Sequence, residues 1–303
     1  MRFRPLGGSG MAVSAVSLCL TDSPARATPQ AWVQLLYSAF ENGVNAFEVV
    51  GRQPALAEGL AQAVAAVERR LLFIALRLGP VVSPAGAILR DFSPESLLLQ
   101  VESFLTRTRL EYVDAVILDD PKADELSPQA LDGLKAMREA GRTRMLGVGG
   151  DDPAIDAYIS AGAFDLLRTP FSLVSGWKDR LRLKAAMERD MAVIGYGFFP
   201  EQFHGGGAAP AKKGWWGGAE NPLAGVGTYA FLERTSNWTA EELCLAYALT
   251  EPSLATVQIS ADRTERIDAL SEIPERDLPP GVAAQIEMAR FAATATASKA
   301  RRA

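Results

Sequence analysis

The fold is decided by residues 113–148, VDAVILDDPKADELSPQALDGLKAMREAGRTRMLGV. Val113–Leu118 is a short apolar run rich in β-branched residues, as a buried strand requires. Ser127-Pro128-Gln129 then supplies a helix N-cap with proline at the first helical position, where an N–H would have no helical partner. Gly141 stands where a left-handed stop is wanted, and Arg144–Val148 is a second strand. Strand, helix and strand in this order describe parallel strands joined by a crossover.

Outward from this unit the pattern repeats. Val13–Leu20, Val44–Val49, Leu71–Leu78, Phe164–Arg168, Ala192–Tyr196 and Ala255–Ile259 read as six further strands. Thr28-Pro29 and Ser93-Pro94 repeat the cap, and Trp32, Leu36, Ala39 and Phe40 form one apolar stripe behind the first of them. Thr239-Ala240-Glu241-Glu242 is a capping box, and Gly43 is another stop. Eight strand–helix units predict an α/β fold, a single (β/α)8 TIM barrel, with an N-terminal β-hairpin and an extra C-terminal helix. An open doubly wound sheet would carry a glycine-rich turn after its first strand. Here that turn is Thr21-Asp22-Ser23-Pro24. The expected organisation is one barrel domain over 1–303, with a long inserted loop at 198–238 and a C-terminal helix and basic tail at 281–303.

The chain of 303 residues carries 31 basic and 36 acidic side chains, for a net charge of −5. It has no basic block, so nucleic acid is not an expected partner. His204 is the only histidine, and Cys19 and Cys244 are the only cysteines. That excludes a disulfide framework, a His/Cys metal centre, a Ser-His-Asp triad and a Cys-His protease. No apolar run reaches the length of a membrane span. Arg2 and Arg4 before Met11–Leu20 imitate a secretory leader. However, Gly7-Gly8-Ser9-Gly10 interrupts it, and Ser14 and Ser17 alternate with apolar residues as in a strand, so a cytoplasmic protein is expected. Chemistry in such a barrel sits at the carboxyl ends of the strands. Those ends offer Glu48, Arg77, Asp119 with Asp120, Gly149-Gly150, Arg168, Tyr196 and Ser260.

Several segments, in order along the barrel, resemble the aldo-keto reductases. Arg4-Pro5-Leu6-Gly7-Gly8-Ser9-Gly10-Met11 looks like that family's opening hairpin, and Glu41-Asn42-Gly43-Val44-Asn45-Ala46-Phe47-Glu48 like its second strand. Leu110-Glu111-Tyr112-Val113-Asp114 resembles the entry to its fourth strand, and Ala140-Gly141-Arg142-Thr143-Arg144-Met145-Leu146-Gly147-Val148 the entry to its fifth. The resemblance implies a nicotinamide dinucleotide and a catalytic Asp, Tyr, Lys and His. These four fall on Glu48, Gln53, Arg77 and Asp119, so none is kept. Reducing a carbonyl needs a proton for the developing alkoxide. Gln53 has no titratable proton, and an arginine holds its protons far above neutral pH. Glu48 with Arg77 reads most simply as a salt bridge in place of Asp and Lys. Asp119 as a substitute general acid would give an active oxidoreductase, and Glu48 with Asp119 an acid–base enzyme without a redox step. The leading expectation is a catalytically disabled homologue with a regulatory role.

The resemblance also implies a cofactor site at Arg168, Tyr196, Gly197 and Phe199, continued by Ser260, Asp262, Arg263 and Arg266. Tyr196 falls where the family stacks an aromatic ring on the nicotinamide, and Arg266 where an arginine covers the adenine. Ser260 replaces the lysine that holds a 2′-phosphate, with Asp262 close by. The expected cofactor is therefore NAD(H) in preference to NADP(H). Gly149-Gly150 replaces a Ser-Asn pair that holds the carboxamide. The loop 198–238 reads as a cofactor lid, as a docking surface through Trp215 and Trp216, or as an insertion packed on itself. Resemblance to a regulatory, catalytically silent member of that family would imply a protein partner, in the cell-division machinery or a sensor histidine kinase.

Overall fold

The computed structural model describes residues 1–83, 86–204, 229, 231–232 and 235–290. Strand β1 (Phe3–Pro5) pairs antiparallel with β2 (Ala12–Ser14). There follow β3 (Val16–Leu20), α1 (Pro29–Glu41), β4 (Ala46–Val49), α2 (Pro54–Ala65) and β5 (Phe73–Leu78). A hairpin, β6 (Pro80–Val82) with β7 (Ile88–Arg90), precedes α3 (Pro94–Thr108). Then come β8 (Val113–Asp119), α4 (Pro128–Glu139), β9 (Thr143–Gly149), α5 (Ala154–Ala161), β10 (Leu166–Pro170) and α6 (Trp177–Met187). The order ends with β11 (Ala192–Tyr196), α7 (Ala240–Ala248), β12 (Thr256–Ser260) and α8 (Thr264–Glu272). Strands β3, β4, β5, β8, β9, β10, β11 and β12 pair in that order, all parallel, and β12 returns to β3 to close the barrel. The expected (β/α)8 barrel and its N-terminal hairpin are both present.

The caps form as the sequence reads. The side chains of Thr28, Ser93 and Ser127 accept the N–H groups of Ala31, Ser96 and Ala130. Thr239 and Glu242 close a reciprocal capping box. Gly43 and Gly141 take positive φ, 77° and 72°, at the ends of α1 and α4. Trp32, Leu36 and Ala39 bury the inner stripe of α1 against the barrel.

Two layers of side chains fill the molecule. One lies between strands and helices; the other, inside the barrel, contains Phe73, Ile117, Met145, Leu166 and Ile194. The hairpin β1–β2 closes the floor, sending Leu6 and Val13 into that inner layer. Its Arg4 guanidinium donates to the carbonyls of Leu249 and Leu254, at 2.5 and 2.9 Å, on the far side of the closing seam.

The expected single strand Val13–Leu20 is divided. Ala15 sends its N–H to Arg2 O while its carbonyl accepts from Val257, so the chain turns there from the floor hairpin into the barrel wall. The hairpin β6–β7 was not among the expected elements; Gly79 leads into it at φ +115°, with the Phe92 ring where a Cβ would stand. At the C-terminus, 282–290 is helical, with Val282, Ile286 and Ala289 buried at helical spacing. Residues 291–303 of the expected helix and tail lie outside the described residues. Among the described residues no helix is long and apolar enough to cross a membrane.

Candidate functional site at the barrel mouth

Side chains in a strand alternate between its two faces, so the inner layer repeats every second residue. One step above that layer, each barrel strand contributes a single residue to the mouth. These are Cys19, Glu48, Arg77, Asp119, Gly149, Arg168, Tyr196 and Gln258. Six of the eight were read from the sequence as strand ends offered to chemistry, Gly149 among them as part of a substituted pair. Cys19 and Gln258 were not. A polar residue in the apolar run Thr256-Val257-Gln258-Ile259, two before Ser260, was the available signal.

Glu48 is the centre of this layer and only 2% exposed. Arg77 Nε donates to its Oε1 at 2.6 Å, and Arg77 Nη2 makes a second, closer contact with the same oxygen. Gln258 Nε2 donates to Oε2 at 2.6 Å. Arg168 Nε lies 3.0 Å from Oε2 as an ion-pair contact without hydrogen-bond geometry, and Arg168 Nη2 donates to Gln258 Oε1 at 3.1 Å. One carboxylate thus joins β4, β5, β10 and β12 across the mouth. Asp119 stands apart, with Oδ1 3.8 Å from Arg77 Nε, and is more open to solvent. With two arginines and two carboxylates, the charges of the layer cancel.

The electrostatics follow from burial and this pairing. Burial works against the Arg77 charge, but Glu48 and Asp119 outweigh it and raise its pKa. Burial first, and then Glu48, push the Cys19 thiol up to about 11. Burial raises the Tyr196 phenol as well, against the opposing pull of Arg168. Each of these groups holds its proton more tightly than it would in water.

Gln53 sits at the N-cap of α2, outside the charged layer. Its carboxamide oxygen accepts the Ser23 N–H at 3.1 Å, while Asp22 Oδ1 accepts the N–H groups of Arg52 and Gln53 at 2.6 and 2.8 Å. The turn after β3 and the turn after β4 are therefore latched together. Asp120, in the left-handed region at φ 52°, belongs to a second network. Its Oδ1 accepts the N–H groups of Asp151 and Asp152, both at 3.0 Å, and its Oδ2 pairs with Lys122 at 2.9 Å.

The aldo/keto reductase family profile matches residues 19–290. The chain belongs to the aldo/keto reductase family. Among solved structures, the holo form of aldo-keto reductase AKR11C1 from Bacillus halodurans superposes with a TM-score of 0.78 at 17% identity. That match covers 95% of this chain and 96% of the other. The glycerol dehydrogenase AKR11B4 from Gluconobacter oxydans gives a TM-score of 0.73 at 15% identity, over 95% of this chain and 94% of its own. No curated protein sequence matches at a significant level.

As an aldo/keto reductase, the chain can be tested for its fit to a dinucleotide. The ring face of Tyr196 carries the Arg168 guanidinium, 3.8 Å from the ring centroid, so a nicotinamide on that face would have to displace it. A Cβ at Gly149 would lie 2.9 Å from Arg168 Cβ, and one at Gly150 would lie 2.0 Å from Asp120 Oδ1. The places of a Ser-Asn pair are thus filled by neighbours. In this arrangement the nicotinamide end does not accept the ring as the family holds it.

The other end of the expected cofactor site is open. Ser260, Asp262 and Arg263 are exposed around the start of α8, and Arg266 is tethered to Glu241 at 2.5 Å. The Asp262 carbonyl is taken by the buried Arg26, a bridge between the turns after β3 and β12 that the sequence did not suggest. Gly197 takes φ +67°, and Phe199 packs on His204 with ring centroids 4.6 Å apart. Trp215 and Trp216 lie outside the described residues, as does most of the 198–238 loop.

Proposed function

We propose that this aldo/keto reductase does not reduce carbonyls and serves instead as an NAD(H)-responsive regulator acting through a protein partner. The observation that carries this reading is the commitment of Glu48. Both its oxygens are held by Arg77, Arg168 and Gln258, while the Gln53 carboxamide is turned to the Ser23 backbone. The protons within reach, on Arg77, Tyr196 and Cys19, are all bound more tightly than usual. A general acid works best with a pKa near the operating pH.

NAD(H) is the proposed ligand in preference to NADP(H), because Ser260 stands where the family places a lysine for the 2′-phosphate and Asp262 adds a carboxylate beside it. It enters by its adenosine end, past Ser260, Arg263 and Arg266, with Arg168 keeping the ring off Tyr196. A cytoplasmic protein fits this ligand. In kind, the chain is similar to KidO, the alphaproteobacterial division and cell-fate regulator. That likeness suggests partners in the division machinery or a sensor histidine kinase, reached through the 198–238 loop with Trp215 and Trp216.

The test is a fluorescence titration with NADH and NADPH, followed by incubation with a panel of aldehydes and ketones. Saturable NADH binding, weaker NADPH binding and no oxidation of NADH are expected. Steady turnover at an ordinary reductase rate would overturn the proposal. A second reading rests on Asp119, the mouth carboxylate with solvent access and, among the described residues, no hydrogen bond to its side chain. If it replaces the missing proton donor, hydride transfer is measurable and disappears in Asp119→Asn.

A further inference from the structure

Beside the mouth, between α2 and α3, lies a cavity of about 390 Å³ that the reading above leaves unused. It is reached over the ends of β4 and β5 and the hairpin strand β6. Leu56, Leu76 and Phe104 supply apolar lining, and Arg52, Arg77 and Arg107 line it as well. This volume is in the range of small-molecule sites.

The three cations differ. Arg77 is neutralised by Glu48. Among the described residues, the guanidinium groups of Arg52 and Arg107 make no hydrogen bond or ion pair. The nearest carboxylate to influence Arg52 is Asp22, whose Oδ1 is already occupied by backbone N–H groups, and burial outweighs it and lowers the arginine's pKa. Arg52 is half-buried with its guanidinium bonded to no carboxylate, Arg107 is exposed at the rim, and guanidinium groups pair with carboxylates in bidentate fashion. At the outer rim Val82 and Leu99 are 57% and 70% exposed, so apolar surface continues outward from the cavity.

We propose that this cavity binds a small apolar carboxylic acid. The carboxylate would sit on Arg52 and Arg107, with its hydrocarbon part against Leu56, Leu76 and Phe104 and emerging past Val82 and Leu99. The complement of an apolar volume edged by unneutralised arginines is an amphiphilic anion. A neutral apolar molecule would leave those cations unpaired.

The experiment titrates octanoate, octanol and octylamine into the full chain by calorimetry, without any dinucleotide, so its result is independent of the cofactor proposal. Octanoate is expected to bind saturably, with octanol and octylamine weaker by about ten-fold or more, the factor that corresponds to a lost charge-assisted hydrogen bond. Arg52→Gln should remove that preference while keeping the unfolding midpoint of the parent. Leu99→Asp should weaken octanoate and octanol, which both lose apolar contact at the rim. Equal affinity for octanoate and octanol, an octanoate affinity unchanged in Arg52→Gln, or no saturable octanoate binding would each overturn the proposal.

Discussion

Two groups of arginines, one at the barrel mouth and one in the cavity beside it, are treated in opposite ways. At the mouth, Arg77 and Arg168 converge on the buried Glu48 and are neutralised. In the lateral cavity, Arg52 and Arg107 line a largely apolar space, and among the described residues their guanidinium groups are bonded to no carboxylate. The first arrangement spends its charges inside the protein and becomes architecture. The second leaves its charges available to something from outside. Position near a strand end therefore does not decide whether a charged residue is structural or ligand-directed; the presence of an internal counter-charge does.

The comparison breaks most readily at Glu48. Glu48→Gln leaves two buried guanidinium groups facing each other, and removing one member of a buried ion pair typically costs about 3 kcal/mol or more. Urea unfolding should show a loss of that order. A loss under about 1 kcal/mol would mean that the mouth is solvated and its charges are not architectural.

Cys19 reports on the same layer by a different measurement. Its thiol is pushed up to about 11 from a usual 9.0, so the thiolate fraction at neutral pH is depressed about 100-fold. Alkylation by iodoacetamide at pH 7.5 should be slower than for a free thiol by at least that factor. Its rate should keep climbing beyond pH 9 instead of levelling there. In Glu48→Gln, loss of one cause of the upward shift should speed the reaction.

Gly149→Ala sharpens the comparison from the backbone side. The new methyl would meet Arg168 Cβ at 2.9 Å, and the strands β9 and β10 must part to admit it. Such overpacking costs about 1–3 kcal/mol, again read by urea unfolding. The smallest effect belongs to the cavity. Arg52→Gln and Arg107→Gln should each change stability by less than about 0.5 kcal/mol, because among the described residues neither guanidinium holds another group. A larger loss in either would show that the two groups of arginines are not so different.

Much of the fold was legible because its signals are local. The proline-bearing caps at Thr28, Ser93 and Ser127, the stops at Gly43 and Gly141, and eight apolar runs were enough to place every wall strand. What escaped depends on pairing across distance. The corner at Ala15 exists because the segment before it pairs with Phe3–Pro5 and the segment after it with β4 and β12. Most of the mouth was equally plain, since Glu48, Arg77, Asp119, Gly149, Arg168 and Tyr196 stand at or near the ends of their strands. The bond from Gln258 to Glu48 joins strands on the two sides of β3, and no local periodicity encodes it. Arg26 reaching Asp262 is invisible for the same reason, and the capping direction of Gln53 depends on the neighbouring turn.

The seam where β12 meets β3 sets Val16 beside Val257 and Cys19 beside Ser260. A ribosome therefore releases the first wall strand long before its last neighbour has been synthesised. In that interval one flank of the nascent sheet offers unpaired amides and an unfilled lumen to its surroundings. Parallel pairing over so great a sequence separation is slow and exposed to aggregation. Efficient production of this chain should accordingly depend on chaperones that shelter the growing polypeptide until its C-terminal third arrives.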